Sequence, residues 1–284
     1  MKNVKVNILL ALFAIVGLSL SCTTDSNSVS GSGGNSRQRV VSKIIFEDVE
    51  FDYADEYAFK YDSYGRITRV THTEIEDSYE EICCYERYKY SSGNELVIEC
   101  EDDGYEAYVY EATLNNNGYL STVYYENDDY TEEWSYTYDT KGRLISVLNE
   151  HGSDEYEDVY KWSGGNVVER TFEDEGDLST IYISYNSKSM DMVNIDLNAA
   201  LGGFVGGLYI DVCDNGYHGY HGYHGDGLCG QKSKNFMTGL VYEEEDEQWE
   251  YSLKWSYDED GYPVEAVVAE NGEEYCRVSI EYKK

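Results

Sequence analysis

The sequence predicts an all-β protein: an extended, twisted antiparallel meander of repeated β-hairpins, with a Gly-rich, disulfide-closed loop inserted into it. Three observations carry that expectation. Short runs alternate aromatic with polar residues, turn-forming residues separate the runs, and the spacing repeats. Turn glycines 93, 118, 142 and 165 fall 25, 24 and 23 residues apart, and self-similarity at such a period marks repeated supersecondary units.

The units begin at Phe59 (FKYDSYGRITRV), Tyr88 (YKYSSGNELVIE), Ala112 (ATLNNNGYLSTV), Tyr136 (YTYDTKGRLISV), Tyr160 (YKWSGGNVVERT) and Leu253 (LKWSYDEDGYPVEAV). Two runs of about ten residues with Asn, Asp, Ser and Gly between them make a β-hairpin. In each first strand a pair of aromatics stands two residues apart and so shares a face: Phe59 and Tyr61, Tyr88 and Tyr90, Tyr136 and Tyr138, Tyr160 and Trp162, Trp255 and Tyr257. Tyrosine suits such a ladder because its ring packs while its hydroxyl keeps a polar partner. In the second strands GRITRV, GYLSTV and GRLISV the apolar residues sit two and five after the glycine, which is odd parity. Either a β-bulge intervenes in each unit or both sheet faces are covered.

YDSYGRITRV and YDTKGRLISV resemble the Tyr-Asp repeat of Rhs-type proteins, whose hairpins align into curling β-strips. The repeats, together with the N-terminal features below, resemble an uncharacterised family of Bacteroidota-type lipoproteins. The resemblance implies the hairpin fold and gives Asp62, Gly65, Asp139 and Gly142 turn-forming roles.

The N-terminus reads as an address. Lys2 and Lys5 precede an apolar run, Val6 to Leu18, too short to span a bilayer. It ends in Leu18-Ser19-Leu20-Ser21-Cys22, which resembles a lipobox with Cys22 as the lipidated residue. Residues 1–21 are thus expected to be a signal peptide and 22–39 a lipidated, Ser/Gly-rich tether. Residues 40–284 form one repeat domain, with an apolar Gly-rich segment and His loop inserted at 198–235. The expected location is the outer membrane, anchored through the lipid and facing the periplasm or the cell surface.

Composition narrows the partners. Fifty-six acidic residues stand against 21 basic ones, for a formal charge of −35, which becomes −37 once Lys2 and Lys5 leave with the signal peptide. A polyanion repels nucleic acid and attracts cations or a basic protein. An exposed aromatic face would add a peptide or glycan as ligand. The same acids also solvate an open β-surface and oppose edge-to-edge association.

Beyond Cys22 the chain carries six cysteines, an even number that in an exported protein points to disulfides. Cys84 and Cys100 lie symmetrically about Ser92, and Cys213 and Cys229 bracket the histidine segment, which leaves Cys83 with Cys276. The segment GYHGYHGYHG spaces His218, His221 and His224 three apart, with Asp211, Asp214 and Asp226 near in sequence. A three-residue turn would align these imidazoles, so His218, His221, His224 and Asp226 are a candidate site for Zn, Cu or Ni. His72 and His151 stand alone and read as surface or packing residues. No G-x-S-x-G or H-E-x-x-H motif and no partnered cysteine appears, so no catalytic residue is assigned. The expected role is a non-enzymatic binding or structural module, with metal binding as its alternative.

Overall fold

The computed structural model describes residues 38–76, 79–102, 107–128, 130–152, 154–174, 177–204, 227–244 and 247–284. Sixteen strands follow in order: β1 Val41–Asp48, β2 Tyr53–Tyr61, β3 Ile67–Glu76, β4 Tyr79–Tyr90, β5 Glu95–Asp102, β6 Tyr108–Leu114, β7 Leu120–Glu126, β8 Thr131–Tyr138, β9 Leu144–His151, β10 Asp154–Ser163, β11 Asn166–Asp174, β12 Asp177–Ser189, β13 Asn235–Glu244, β14 Glu247–Tyr257, β15 Pro263–Glu270 and β16 Glu273–Tyr282. All six predicted hairpins form. A helix, α1 Leu197–Phe204, lies between β12 and β13.

The expected open meander is in fact closed. Strand β1 pairs antiparallel with β16, and the sixteen strands make one barrel. The outer face of the seam sets Lys43 opposite Glu281 and Glu47 opposite Arg277, cross-strand pairs of opposite charge that favour this register. Closure removes both free edges of the sheet.

The parity problem resolves as bulges. In β2–β3, Lys60 pairs with Arg69 but Tyr61 pairs with Ile67, so Thr68 is the extra residue. The same shift occurs in β6–β7, β8–β9, β10–β11 and β14–β15. It turns Ile67 with Val70, Leu120 with Val123 and Leu144 with Val147 onto one buried face. Bulges also increase local twist, which helps a long sheet curl to closure.

The aromatic ladder faces inward. Tyr57, Phe59, Tyr88, Tyr110, Tyr136 and Tyr160 are buried, and Tyr61, Tyr90, Tyr138, Trp162, Trp255 and Tyr257 pack partly buried against the same core. Their polar tips tie neighbouring hairpins together at the bulges. The Tyr61 hydroxyl donates to the Val41 carbonyl (2.7 Å), Trp162 Nε1 to Leu144 (2.7 Å), Tyr185 to Val167 (2.5 Å), Trp255 Nε1 to Met237 (2.6 Å) and Tyr282 to Pro263 (2.6 Å). Phenylalanine could not make these bonds. This is why Tyr and Trp recur here.

The Tyr-Asp turns work as expected. Asp62 Oδ1 accepts from the amides of Tyr64 and Arg66, and its Oδ2 accepts from Arg66 Nε. Asp139 repeats this with Lys141 and Arg143. The arginine then lies over an aromatic of the next unit, Arg66 over Tyr90 at 4.0 Å and Arg143 over Trp162 at 5.6 Å.

All these turns gather at one end of the barrel, here called the cap end. There β12 and β13 are joined by the long connection 190–234, which contains most of the insertion expected at 198–235. From this connection Met190, Val193, Ile195, Leu197, Leu201 and Leu228 join the barrel core. Asp196 starts α1, its carboxylate accepting from the amides of Asn198 and Ala199. Backbone bonds from Gln231 to Gly142 and from Lys234 to Gly165 fasten the returning segment across the turns.

No disulfide links the described cysteines, which corrects the expected pairings. The β4–β5 hairpin turns about Gly93 rather than Ser92, so Tyr90 faces Leu96 and Cys84 faces Asp102, while Cys100 faces Glu86. A two-residue slip separates the thiols. Cys83 and Cys276 are likewise unlinked. A Cys213–Cys229 closure has no support, and Cys213 and the whole His218–His224 segment with Asp226 fall outside the described residues, as does Cys22.

Candidate functional site

At the end opposite the cap the barrel changes character. Within three residues of each of the eight hairpin turns there, the sequence carries at least three acids and no Lys or Arg. The basic residues Lys60, Arg66, Lys89, Arg143, Lys161 and Lys188 sit toward the cap instead. The polarity across the wall is equally sharp. Inward positions are apolar and buried, whereas outward ones carry charge: Glu56 on β2, Arg87 and Lys89 on β4, Glu99 on β5, Glu111 on β6, Glu133 on β8, Glu157 and Lys161 on β10, Glu169 on β11 and Lys254 on β14. Where an apolar side chain does face outward it is flanked by charge; exposed Tyr124 stands opposite both Glu111 and Glu133.

Toward the acidic end the interior itself turns polar. Four buried acids point inward: Asp55, Glu86, Glu132 and Asp158. Burying a carboxylate requires a partner, and each has one. Glu86 accepts from the Tyr88 hydroxyl at 2.6 Å. Asp158 Oδ2 accepts from Arg170 Nε at 3.0 Å and Nη2 at 2.7 Å. Glu132 meets His151 Nδ1 at 2.8 Å, and that imidazole stacks on Tyr130 at 4.9 Å.

Asp55 has the fullest surroundings. Its Oδ1 lies 2.6 Å from His72 Nε2 and accepts from the Tyr53 hydroxyl at 2.9 Å. The His72 ring stacks flat on Tyr57, centroids 4.6 Å apart, and its Nδ1 lies 3.6 Å from Cys84 Sγ. The side chains of His72 and Asp55 are only 11% and 12% exposed. Glu74, two residues along β3 and therefore on the same face, is exposed and completes a group in which one ligand atom each from Asp55, His72 and Glu74 lies within 4.8 Å of the others.

Next to this group the β3–β4 ladder slips. His72 pairs with Cys84 and Thr73 with Ile82, leaving Cys83 as the extra residue. Bulges of this kind re-aim side chains. The Cys83 thiol is pushed up to about 12 by burial, reinforced by its hydrogen bond to Glu74 and by the charges of Glu74 and Asp55. Cys276, across the seam, is raised to about 12 by burial and by Asp48 and Asp55. Tyr53 is raised by burial and then by its bond to Asp55.

The Cys84–His72–Asp55 order matches that of a nucleophile, base and orienting acid. Yet Cys84 is 5% exposed, inside a packed barrel, and a nucleophile needs a reacting carbon within reach. The arrangement is better suited to holding a cation than to attacking a substrate.

Sequence reasoning placed metal chemistry on the Gly-rich loop and read His72 and His151 as isolated. The missed signal was His72-Thr73-Glu74, two ligating side chains on one face of a strand. Asp55 joins them only through the β2–β3 register, in which it sits opposite Glu74.

No protein-family model matches the chain, and no curated protein matches it. Among solved structures, a porin-like protein from Bacteroides uniformis ATCC 8492 is similar over 86% of this chain and 98% of its own, with 18% identity and a TM-score of 0.63. A second porin-like protein, from Bacteroides vulgatus ATCC 8482, covers 86% of this chain and 99% of its own at 14% identity and a TM-score of 0.53. At these identities the likeness is one of fold.

Proposed function

We propose that this chain is a non-enzymatic component of the cell envelope, held at the outer membrane by a lipid on Cys22, whose barrel stands in water and conducts nothing. One observation carries the reading: the wall is inverted relative to a membrane barrel. A transmembrane barrel presents an apolar band to lipid and a polar lumen, and each Lys or Arg on its lipid face at mid-depth costs about 2–4 kcal/mol. Here the outer face carries charge on strand after strand, while Trp134, Tyr110, Phe236, Ile44 and Leu96 fill the interior almost without exposure. Placing such a wall in lipid would exceed the stability of an ordinary domain, about 5–15 kcal/mol. The likeness to porin-like proteins favours an envelope setting, and so do the leader and the lipobox-like Cys22. Channel activity would need a wet lumen.

The described chain begins at the cap end, so a tether from Cys22 would hold that end toward the bilayer. The acidic end then projects away from it, as repulsion from anionic headgroups favours. A basic protein segment or cations would be its partners. The buried ladder offers no aromatic face to a peptide or glycan.

Phase partitioning tests this. The full chain should enter the detergent phase, Cys22→Ala should move to the aqueous phase, and neither should raise the conductance of a planar bilayer. A Cys22→Ala protein that resists alkaline extraction from membranes, or that opens channels, would refute the reading.

A further inference from the structure

We propose that Asp55, His72 and Glu74 form a zinc site just inside the acidic mouth of the barrel, distinct from the Gly-rich histidine loop. Three features of the cluster point to a metal. The donor set is an imidazole with two carboxylates, which suits zinc and leaves a fourth position open. The outer contacts that ligating groups need are already built: Tyr57 fixes the plane of His72 by stacking, Cys84 Sγ occupies the far ring nitrogen, and the Tyr53 hydroxyl holds Asp55. The third donor, Glu74, is exposed and gives a cation its way in.

Geometry allows the ion. Ligand bonds of about 2.0–2.1 Å at a tetrahedral angle hold donor atoms about 3.3 Å apart. The His72–Asp55 contact of 2.6 Å must therefore open by less than about 1 Å, within reach of small side-chain rotations, and Glu74 must close in. The surroundings help. Asp48 and the acid-laden turns give the mouth a negative potential, and a cleft lined by one sign of charge concentrates counter-ions. The comparable His151–Glu132 pair has no third donor grouped with it among the described residues, so it serves as an internal control.

The test uses the full chain in detergent, stripped with a chelator and titrated with zinc against a chromophoric competitor near neutral pH. Expected is one zinc per chain at micromolar affinity or tighter. His72→Ala and Glu74→Gln should each weaken it by at least about tenfold, while His151→Ala and the triple variant His218→Ala/His221→Ala/His224→Ala leave that affinity in place. Glu74 is exposed, so Glu74→Gln keeps the fold even where His72→Ala does not, and far-UV circular dichroism checks both. Wild-type affinity in Glu74→Gln, loss of binding in the loop triple variant, or displacement of zinc by an equal concentration of calcium would each overturn the proposal.

Discussion

Replacing Arg170 by methionine removes the cation from the most deeply buried ion pair among the described residues. The Arg170 and Asp158 side chains are 8% and 6% exposed, and the guanidinium makes two bonds to one carboxylate oxygen while lying 4.2 Å above the Phe172 ring. At an effective dielectric constant of about 20, charges some 4 Å apart attract by about 4 kcal/mol, and breaking such a pair from one side costs about 3–5 kcal/mol. Arg170→Met should lose that much at neutral pH. The pH dependence has a definite sign. Burial raises Asp158 even in the intact pair, against the pull of Arg170, and removing Arg170 raises it further. A carboxyl whose folded pKa is raised destabilises fully above that value and not at all below its unfolded value of about 3.9. The deficit relative to wild type should therefore shrink between neutral pH and about pH 4.5. Adding Asp158→Leu removes the stranded charge, and the double variant should recover most of the loss, since apolar replacements of buried pairs are often neutral or better. Urea unfolding of the three proteins at both pH values measures all of this. A cost below about 1 kcal/mol at neutral pH, or a double variant no more stable than Arg170→Met, would refute the reasoning.

Two further perturbations probe the cap end. Gly230 has φ +100°, and a Cβ there would stand 2.7 Å from Tyr138 Cε1 and 2.8 Å from the Gly142 carbonyl oxygen; Gly230→Ala should cost about 1–3 kcal/mol in urea unfolding. Gly93, with φ +103° but nothing within 4 Å, pays the backbone strain alone, so equal losses in the two alanine variants would contradict the packing argument. Asp139 is held down at about 2 by the Arg143 side chain and by turn amides. Its depressed value means the turn is stabilised above the unfolded carboxylate range and released as pH falls through about 2. Asp139→Asn keeps the turn acceptor without the charge, and its melting temperature should converge on that of wild type across that acid range.

The hairpins were readable because their signals are local. An Asp whose carboxylate can bond two amides of its own turn, a glycine at positive φ and aromatics two apart all act within a dozen residues. Closure was not readable, because it depends on Val41 finding Tyr282, and the seam pairs Lys43–Glu281 and Glu47–Arg277 carry meaning only once the register is known. The bulge was foreseen as one of two solutions, and the three-residue spacing of Ile67 and Val70 could not choose between them. The cysteine pairing failed for a smaller reason: a turn centred on Gly93 instead of Ser92 moves Cys100 from Cys84 to Glu86. The candidate site lay half in view. Its acids sit two or four residues before an aromatic pair, as in Asp55-x-Tyr57-x-Phe59 and Asp158-x-Tyr160-x-Trp162, but the His72, His151 and Arg170 partners arrive from the neighbouring strand.

The same repeat explains why the interior is graded. Each first strand runs from the acidic end to the cap, so in β2, β4, β8 and β10 the order acid, aromatic, aromatic along the inward face becomes a height in the barrel. Tyr and Trp tips meet bulge carbonyls next to the cap, rings fill the middle, and carboxylates lie nearer the acidic end. An acid placed among the rings would lack partners. At the mouth it finds His72, His151 or Arg170, each from the adjoining return strand, and solvent lies a short distance beyond. Outside, the turns carry at least three acids each and no Lys or Arg within three residues, so the field at that end is negative. The charged outer wall and the acidic end thus both follow from the direction in which one short pattern is read.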